Sequence, residues 1–186
     1  MKKYIISFLL ILFIFPFTNK LKAQIDNPSI VPVDKVTGLI TYREVVEVEG
    51  TNKKLFNRCI SSWLNNFYTN PPAVTNLRDA ATGKITGNHR FRITQTDNKG
   101  NTINAGMILY SFTIELKDGR YRFTFTDLLL KRPSRYPIEN WFDKSDPAYN
   151  PQWNIYLKQI DEFVKSWIED LKEKMKPKPK VIEEEW

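Results

Sequence analysis

The chain has 186 residues, 41% of them hydrophobic and 26% charged, with 28 Lys and Arg against 21 Asp and Glu. A single Cys and a single His exclude an internal disulfide and leave too few ligands for a zinc site of the usual His/Cys type. The length suits one domain whose core holds by apolar burial alone.

Residues 1–23 read as a cleavable secretory signal. Lys2 and Lys3 precede an apolar run over 4–17, broken only by Ser7 and Pro16. That run is shorter than the roughly 20 residues a membrane-spanning helix needs. Ala23 is the small residue expected before a cleavage site, and no Cys follows to take a lipid. The expected location is therefore the periplasm or the extracellular space, with no stable membrane span after cleavage. Cleavage removes Lys2, Lys3, Lys20 and Lys22 and no acid, which takes away more than half of the +7 net charge. Nucleic acid is not expected as a partner.

Residues 24–37 form a Pro-bearing N-terminal arm, and a single domain is expected over 38–176. A first strand spans 39–49, with Val45 and Val46 breaking the alternation as a candidate irregularity. Gly50 closes it, and Thr51 or Asn52 caps a helix. Leu55, Phe56, Cys59, Ile60, Trp63, Leu64 and Phe67 make one apolar face of four turns, ended by Asn70-Pro71-Pro72. A short strand at 73–79 and the Thr82-Gly83 turn follow. The strand 84–96 places Ile85, His89, Phe91 and Ile93 inward, and Asn88, Arg90, Arg92 and Thr94 outward. After a turn at 97–101, the strand 102–117 alternates strictly through Ile108, Tyr110, Phe112, Ile114 and Leu116. Asp118-Gly119 signals a tight hairpin into 120–130, with Tyr121, Phe123 and Phe125 inward. The last three strands are expected to form an antiparallel meander.

A connection over 131–149 holds Pro133, Pro137 and Pro147. Asn150 caps a second helix with Pro151 at its first position. Trp153, Leu157, Ile160, Val164, Trp167, Leu171 and Met175 form its apolar stripe, and Pro177 and Pro179 stop it. The charged tail 177–186 is expected to be disordered. The fold class is therefore α+β: a single antiparallel sheet of about five strands, two helices packed on one face, order β-α-β-β-β-β-α. The other sheet face stays open and polar.

That element order is the order of half of the TATA-binding-protein (TBP) fold. The stretches VVEVEGTNKKLFNRCISSWL (45–64), DAATGKITG (79–87) and YSFTIELKDGRYRFTFTD (110–127) resemble an exported Bacteroidetes domain-of-unknown-function family, the 4468 family, described as TBP-like. The resemblance covers roughly residues 40–130. It implies the fold and export but no activity, so no functional residue carries over. A TBP-like fold does not imply DNA binding.

Several residues invite a chemical reading. His89 could serve a triad, but its place beside Phe91 and Ile93 reads as a core or edge histidine. Cys59, on the apolar helix face, reads as a small hydrophobe. Asp143, Asp146 and Asn150 supply oxygen ligands, yet their spacing is not that of a calcium loop and each suits a turn or cap. No metal and no cofactor are expected. Arg90, Arg92, Arg120 and Arg122 should share the outward face as one patch, with Thr113, Glu115, Lys117, Thr124 and Thr126 among them. Such a face can take carboxylates or phosphates, or it is simply solvated. Tyr136, Trp141, Phe142, Tyr149 and Trp153 crowd the long connection, either as a ligand platform or as the underside that pins it. With no catalytic motif visible, the leading expectation is a non-catalytic extracytoplasmic module. It would bind an unknown ligand or an envelope protein through Arg90, Arg92, Arg120, Arg122, Tyr136 and Trp141. The alternatives are a small hydrolase-type enzyme and a structural component of an envelope assembly.

Overall fold

The Asp118-Gly119 hairpin lies at the heart of the sheet. In the computed structural model, which describes residues 29–177, it joins strand β4 (Thr102–Lys117) to strand β5 (Arg120–Leu130). Gly119 takes the left-handed φ of 74° that the turn requires. Strand β3 (Lys84–Thr96) pairs with the far side of β4, and the short strand β2 (Thr75–Asp79) pairs with the start of β3. Strand β1 (Tyr42–Glu47) closes the opposite edge against β5, with Tyr42 opposite Phe125. The result is one five-stranded antiparallel sheet in the order β1-β5-β4-β3-β2. The secretory reading of 1–23 and the tail beyond Pro177 lie outside the described residues.

One sheet face carries the inward row foreseen from period two. Ile108, Tyr110, Phe112, Ile114, Leu116, Tyr121, Phe123 and Phe125 are all buried. The other face carries Thr, Arg, Glu and Lys. The irregularity expected at Val45 and Val46 is absent: both pair with β5 in unbroken register. Val46 packs on the core, and Val45 is left 52% exposed on the open face. The real irregularities fall elsewhere. The β4–β5 register shifts between Leu109 and Ser111, where Asp127 adopts a φ of 56°. Its carboxylate accepts hydrogen bonds from Ser111 and Arg135. The extra residue turns Leu128 into the core.

Two helical segments, side by side, cover the inward row. Thr51 caps α1 (Asn52–Arg58), its Oγ1 accepting from the Lys54 amide. The helix then widens into a π-helical segment (Cys59–Leu64) and ends in α2 (Asn65–Phe67). Cys59, Trp63 and Leu64 are fully buried. Asn66 donates to the carbonyls of Ser61 and Ser62 at the helix end. Burial raises the Cys59 thiol well above its usual range. It should therefore resist a thiol-modifying reagent in the folded protein and react only on unfolding; reaction at the rate of an exposed thiol would place the helix face wrongly. Asn70-Pro71-Pro72 end the helix, and the single turn α3 (Pro71–Val74) leads into β2.

Helix α4 (Trp153–Met175) buries Trp153, Leu157, Ile160, Val164, Trp167, Leu171 and Met175, the stripe read from the sequence. It begins after Asn150, whose side chain accepts from Gln152 in a preceding turn. Its one buried acid, Asp161, is held by the Tyr42 hydroxyl at 2.9 Å and by Lys165 at 2.7 Å. The expected boundary at residue 38 falls inside a packed turn, since Val31 is fully buried and Val33 bridges to Ile40. Among the described residues no helix is long and apolar enough to cross a membrane.

Candidate functional site

The open sheet face does not assemble its four arginines into one patch. Arg122 lies opposite Glu115 on β4 and Arg120 opposite Lys117, whereas Arg90 and Arg92 lie opposite Leu109 and Met107. The two pairs are thus separated along β4 by about 20 Å at the usual rise per strand residue. The cause is strand length: the two hairpin turns stand at opposite ends of long strands. Arg122 is also already engaged, with Nε at 2.8 Å and Nη2 at 2.6 Å from one Glu115 oxygen. A shallow depression of about 280 Å³ remains there, between Val45, Glu115, Lys117, Arg120 and Arg122.

The aromatic connection does not present a platform either. It contains a 3-10 helix (Ile138–Phe142) that buries Ile138 and Trp141. Trp141 is 3% exposed and stacks on Trp153 at 5.8 Å. Glu139 accepts from the Ile40 amide at 2.7 Å, and Leu129 bridges to Pro137. Tyr136 is half-buried beneath the Arg132 guanidinium, 4.4 Å from its ring centre. Of the two candidate ligand aromatics, Trp141 is therefore core and Tyr136 is capped by a neighbour. Asp143, Asp146 and Asn150 each accept a backbone amide two residues ahead, at Ser145, Ala148 and Gln152.

A third place, not singled out by the sequence, has the better geometry. The first helix stops at Phe67 and α4 runs past it, leaving the β3 edge uncovered at His89 while Tyr68, Val74 and Tyr110 stay buried. The gap is a groove of about 510 Å³. Phe67, Tyr68, Ala73, Val74, Tyr110 and Phe163 give it apolar walls; Thr69, Asn70, Asn88, His89 and Arg90 give it a polar rim. His89 belongs to the inward row but is exposed, because neither helix covers it. Its ring lies 5.1 Å from that of Tyr68 and 6.2 Å from that of Tyr110. Partial burial, then the positive charge of Arg90, hold it below its ordinary value of 6.5. It is therefore neutral at pH 7. Acidification below pH 6.5 costs stability, because the unfolded chain takes up this proton first.

The groove's back wall is rigid. The Tyr68 hydroxyl accepts from the Trp167 indole at 2.8 Å and shares a hydrogen bond of 3.2 Å with Tyr110. Burial pushes the Tyr68 phenol up to about 12, so it stays protonated. Phe163 stacks on Phe91 with ring centres 3.8 Å apart. The signals in the sequence were Phe67-Tyr68 just before the Asn-Pro-Pro stop and Phe163 just off the apolar stripe of α4.

The edge of β3 runs beside this groove. β2 reaches only as far as Gly87, since Pro71 and Pro72 turn the chain away, and beyond Gly87 no described strand pairs with that side of β3. At Thr94 the side-chain amide of Gln159 takes both backbone groups: the Thr94 N–H donates to its oxygen at 2.9 Å and its nitrogen donates to the Thr94 carbonyl at 2.8 Å.

Comparison with known proteins bears on this architecture. Residues 42–130 match a family described as a domain of unknown function (DUF4468) with TBP-like fold. A crystal structure of a TBP-like protein from Parabacteroides distasonis ATCC 8503 is similar with a TM-score of 0.62 and 21% identity, over 78% of this chain and 97% of that chain. A crystal structure of a DUF4468 family protein from Bacteroides ovatus ATCC 8483 is similar with a TM-score of 0.64 and 13% identity, over 83% of this chain and 95% of that chain. At such identities the likeness shows the fold alone. No curated protein matches the chain. The matched stretch runs from β1 through β5 and includes Tyr68, His89, Arg90 and Arg92, but not Phe163.

Proposed function

We propose, for a chain whose residues 42–130 belong to the DUF4468 family with TBP-like fold, that it is a non-catalytic binding module exported by its 1–23 leader. The groove between the end of the first helix and α4 is its site. The observation that carries this reading is a groove of about 510 Å³ with aromatic walls, beside the exposed His89 and Arg90. Such a site fits a compact apolar or aromatic group that bears a negative or hydrogen-bonding end. Binding is favoured over hydrolysis by the surroundings of His89. Among the described residues no hydrogen bond or ion pair joins it to an acid, and Cys59 is buried with its thiol held protonated.

Phenylacetate supplies a ring and a carboxylate and serves as a probe. Titrated into the protein and followed by NMR, it should shift the signals of Tyr68, Ala73 and His89 together. Ala73 is exposed at the groove mouth, so Ala73→Trp should fill the groove, leave the fold intact and abolish these shifts. Shifts scattered over the surface, or unchanged in Ala73→Trp, would remove the groove as the site.

A further inference from the structure

We propose that the partner of this site is an extended peptide segment of alternating acidic and apolar residues, added as a strand to the open edge of β3 from Asn88 to Ile93; this rests on the groove reading above. Three features point to one occupant. First, the edge is unfilled and in line with β2, which the chain leaves at Pro71-Pro72. Thr94 turns its backbone N–H and carbonyl away from β4 to Gln159. By the two-residue period of an antiparallel ladder, Arg92 and Arg90 turn theirs the same way, towards the vacant position. Gln159 stands where an added strand would end.

Second, the two sides of this edge differ. Arg90 and Arg92 project on the open face, are exposed, and form no ion pair among the described residues. The inner side carries His89 and Phe91, with the groove alongside. A strand alternates its side chains in the same way. One that sets acids on the outer side meets two free guanidinium groups, and its alternate apolar residues face Tyr68 and Phe163. Backbone bonds would supply affinity, and the alternation would supply specificity.

Third, open edges are commonly blunted by charge. Here the charge is of one sign, so it repels basic strands and attracts acidic ones.

The probe is a capped heptapeptide of alternating glutamate and valine with a central, inward phenylalanine. Added to the protein at low salt, it should slow amide hydrogen exchange at Arg90 and Arg92 at least tenfold and shift the ring signals of Tyr68 and Phe163. A double variant, Arg90→Glu with Arg92→Glu, should lose this peptide and gain the version carrying lysine in place of glutamate. Both positions are exposed, so the variant should fold. Equal binding of a scrambled peptide overturns the proposal. So does protection of Arg90 and Arg92 that rises with protein concentration alone, which would make a second copy the occupant. The two failures are separable. If phenylacetate shifts the groove while the peptide leaves Arg90 and Arg92 unprotected, strand addition falls and the groove stands. If phenylacetate has no effect, the groove itself falls.

Discussion

Replacing Trp63 by Ala is expected to cost about 3–5 kcal/mol of folding stability, read as a lower urea midpoint with an unchanged slope. Trp63 is fully buried and touches every layer. Its ring meets Phe67 and Tyr68 at the end of its own helix, Phe112 on β4 and Trp167 on α4, at centroid distances of 5.9, 5.8, 5.9 and 5.1 Å. The surroundings have little freedom to collapse into the space, since the Tyr68 hydroxyl is tied to Trp167 and Tyr110. No hydrogen bond within the described residues is lost, because the Trp63 indole nitrogen has no partner among them. The whole cost is therefore packing. A loss below about 1 kcal/mol would contradict the burial of this ring.

Gly87→Ala should also destabilise, by about 1–3 kcal/mol, although a glycine inside a strand ordinarily gains stability from a methyl group. The reason is contact, not backbone conformation. A Cβ at Gly87 would lie 2.5 Å from the Phe112 ring and 2.6 Å from the Val74 carbonyl oxygen. The ring cannot swing aside, since it lies parallel to Tyr68 and edge-on to Trp63. Moving Val74 would disturb β2 at its pairing with β3. Thr86→Ala, one residue earlier on the open face, is the control and should stay within about 0.5 kcal/mol. A stabilised Gly87→Ala would show that the ring and the turn before β2 yield to the methyl group.

The strands were the most legible part of the sequence. Period two over Ile108 to Leu116 and the Asp118-Gly119 turn place β3, β4 and β5 and their inward rows correctly, because local patterning and tertiary burial agree there. The register is legible too. With turns at 97–101 and 118–119, Arg92 and Arg122 must lie far apart along β4, so the single arginine patch was excluded by strand length. The bulge at Asp127 was not legible, since it depends on where Leu128 finds space in the core. The same holds for the π-helical segment, whose wider turn shows only in the packing of Cys59, Trp63 and Leu64. The groove depends on where two distant helices stop covering the sheet. His89 lies in the inward row as its alternation requires, and its exposure comes from the roof above it, which no local pattern encodes. The aromatics of the long connection were ambiguous in sequence, and the stack of Trp141 on Trp153 decides for pinning.

The position of α4 after all five strands has a consequence for how the chain is made. As the polypeptide emerges from its N-terminal side, at the ribosome or at an export channel, the sheet can pair by successive hairpins while Phe112, Phe123 and Phe125 still lack the Trp167 side of their cover. That apolar face stays wet until residues 153–175 have been synthesised. Throughout the interval the nascent chain is a substrate for chaperones and a hazard to its neighbours. A frameshift or stop within the long connection would leave this face permanently bare, even though the hairpin core were intact. Helix α4 is thus what turns a sticky half-product into a protein that can be left alone.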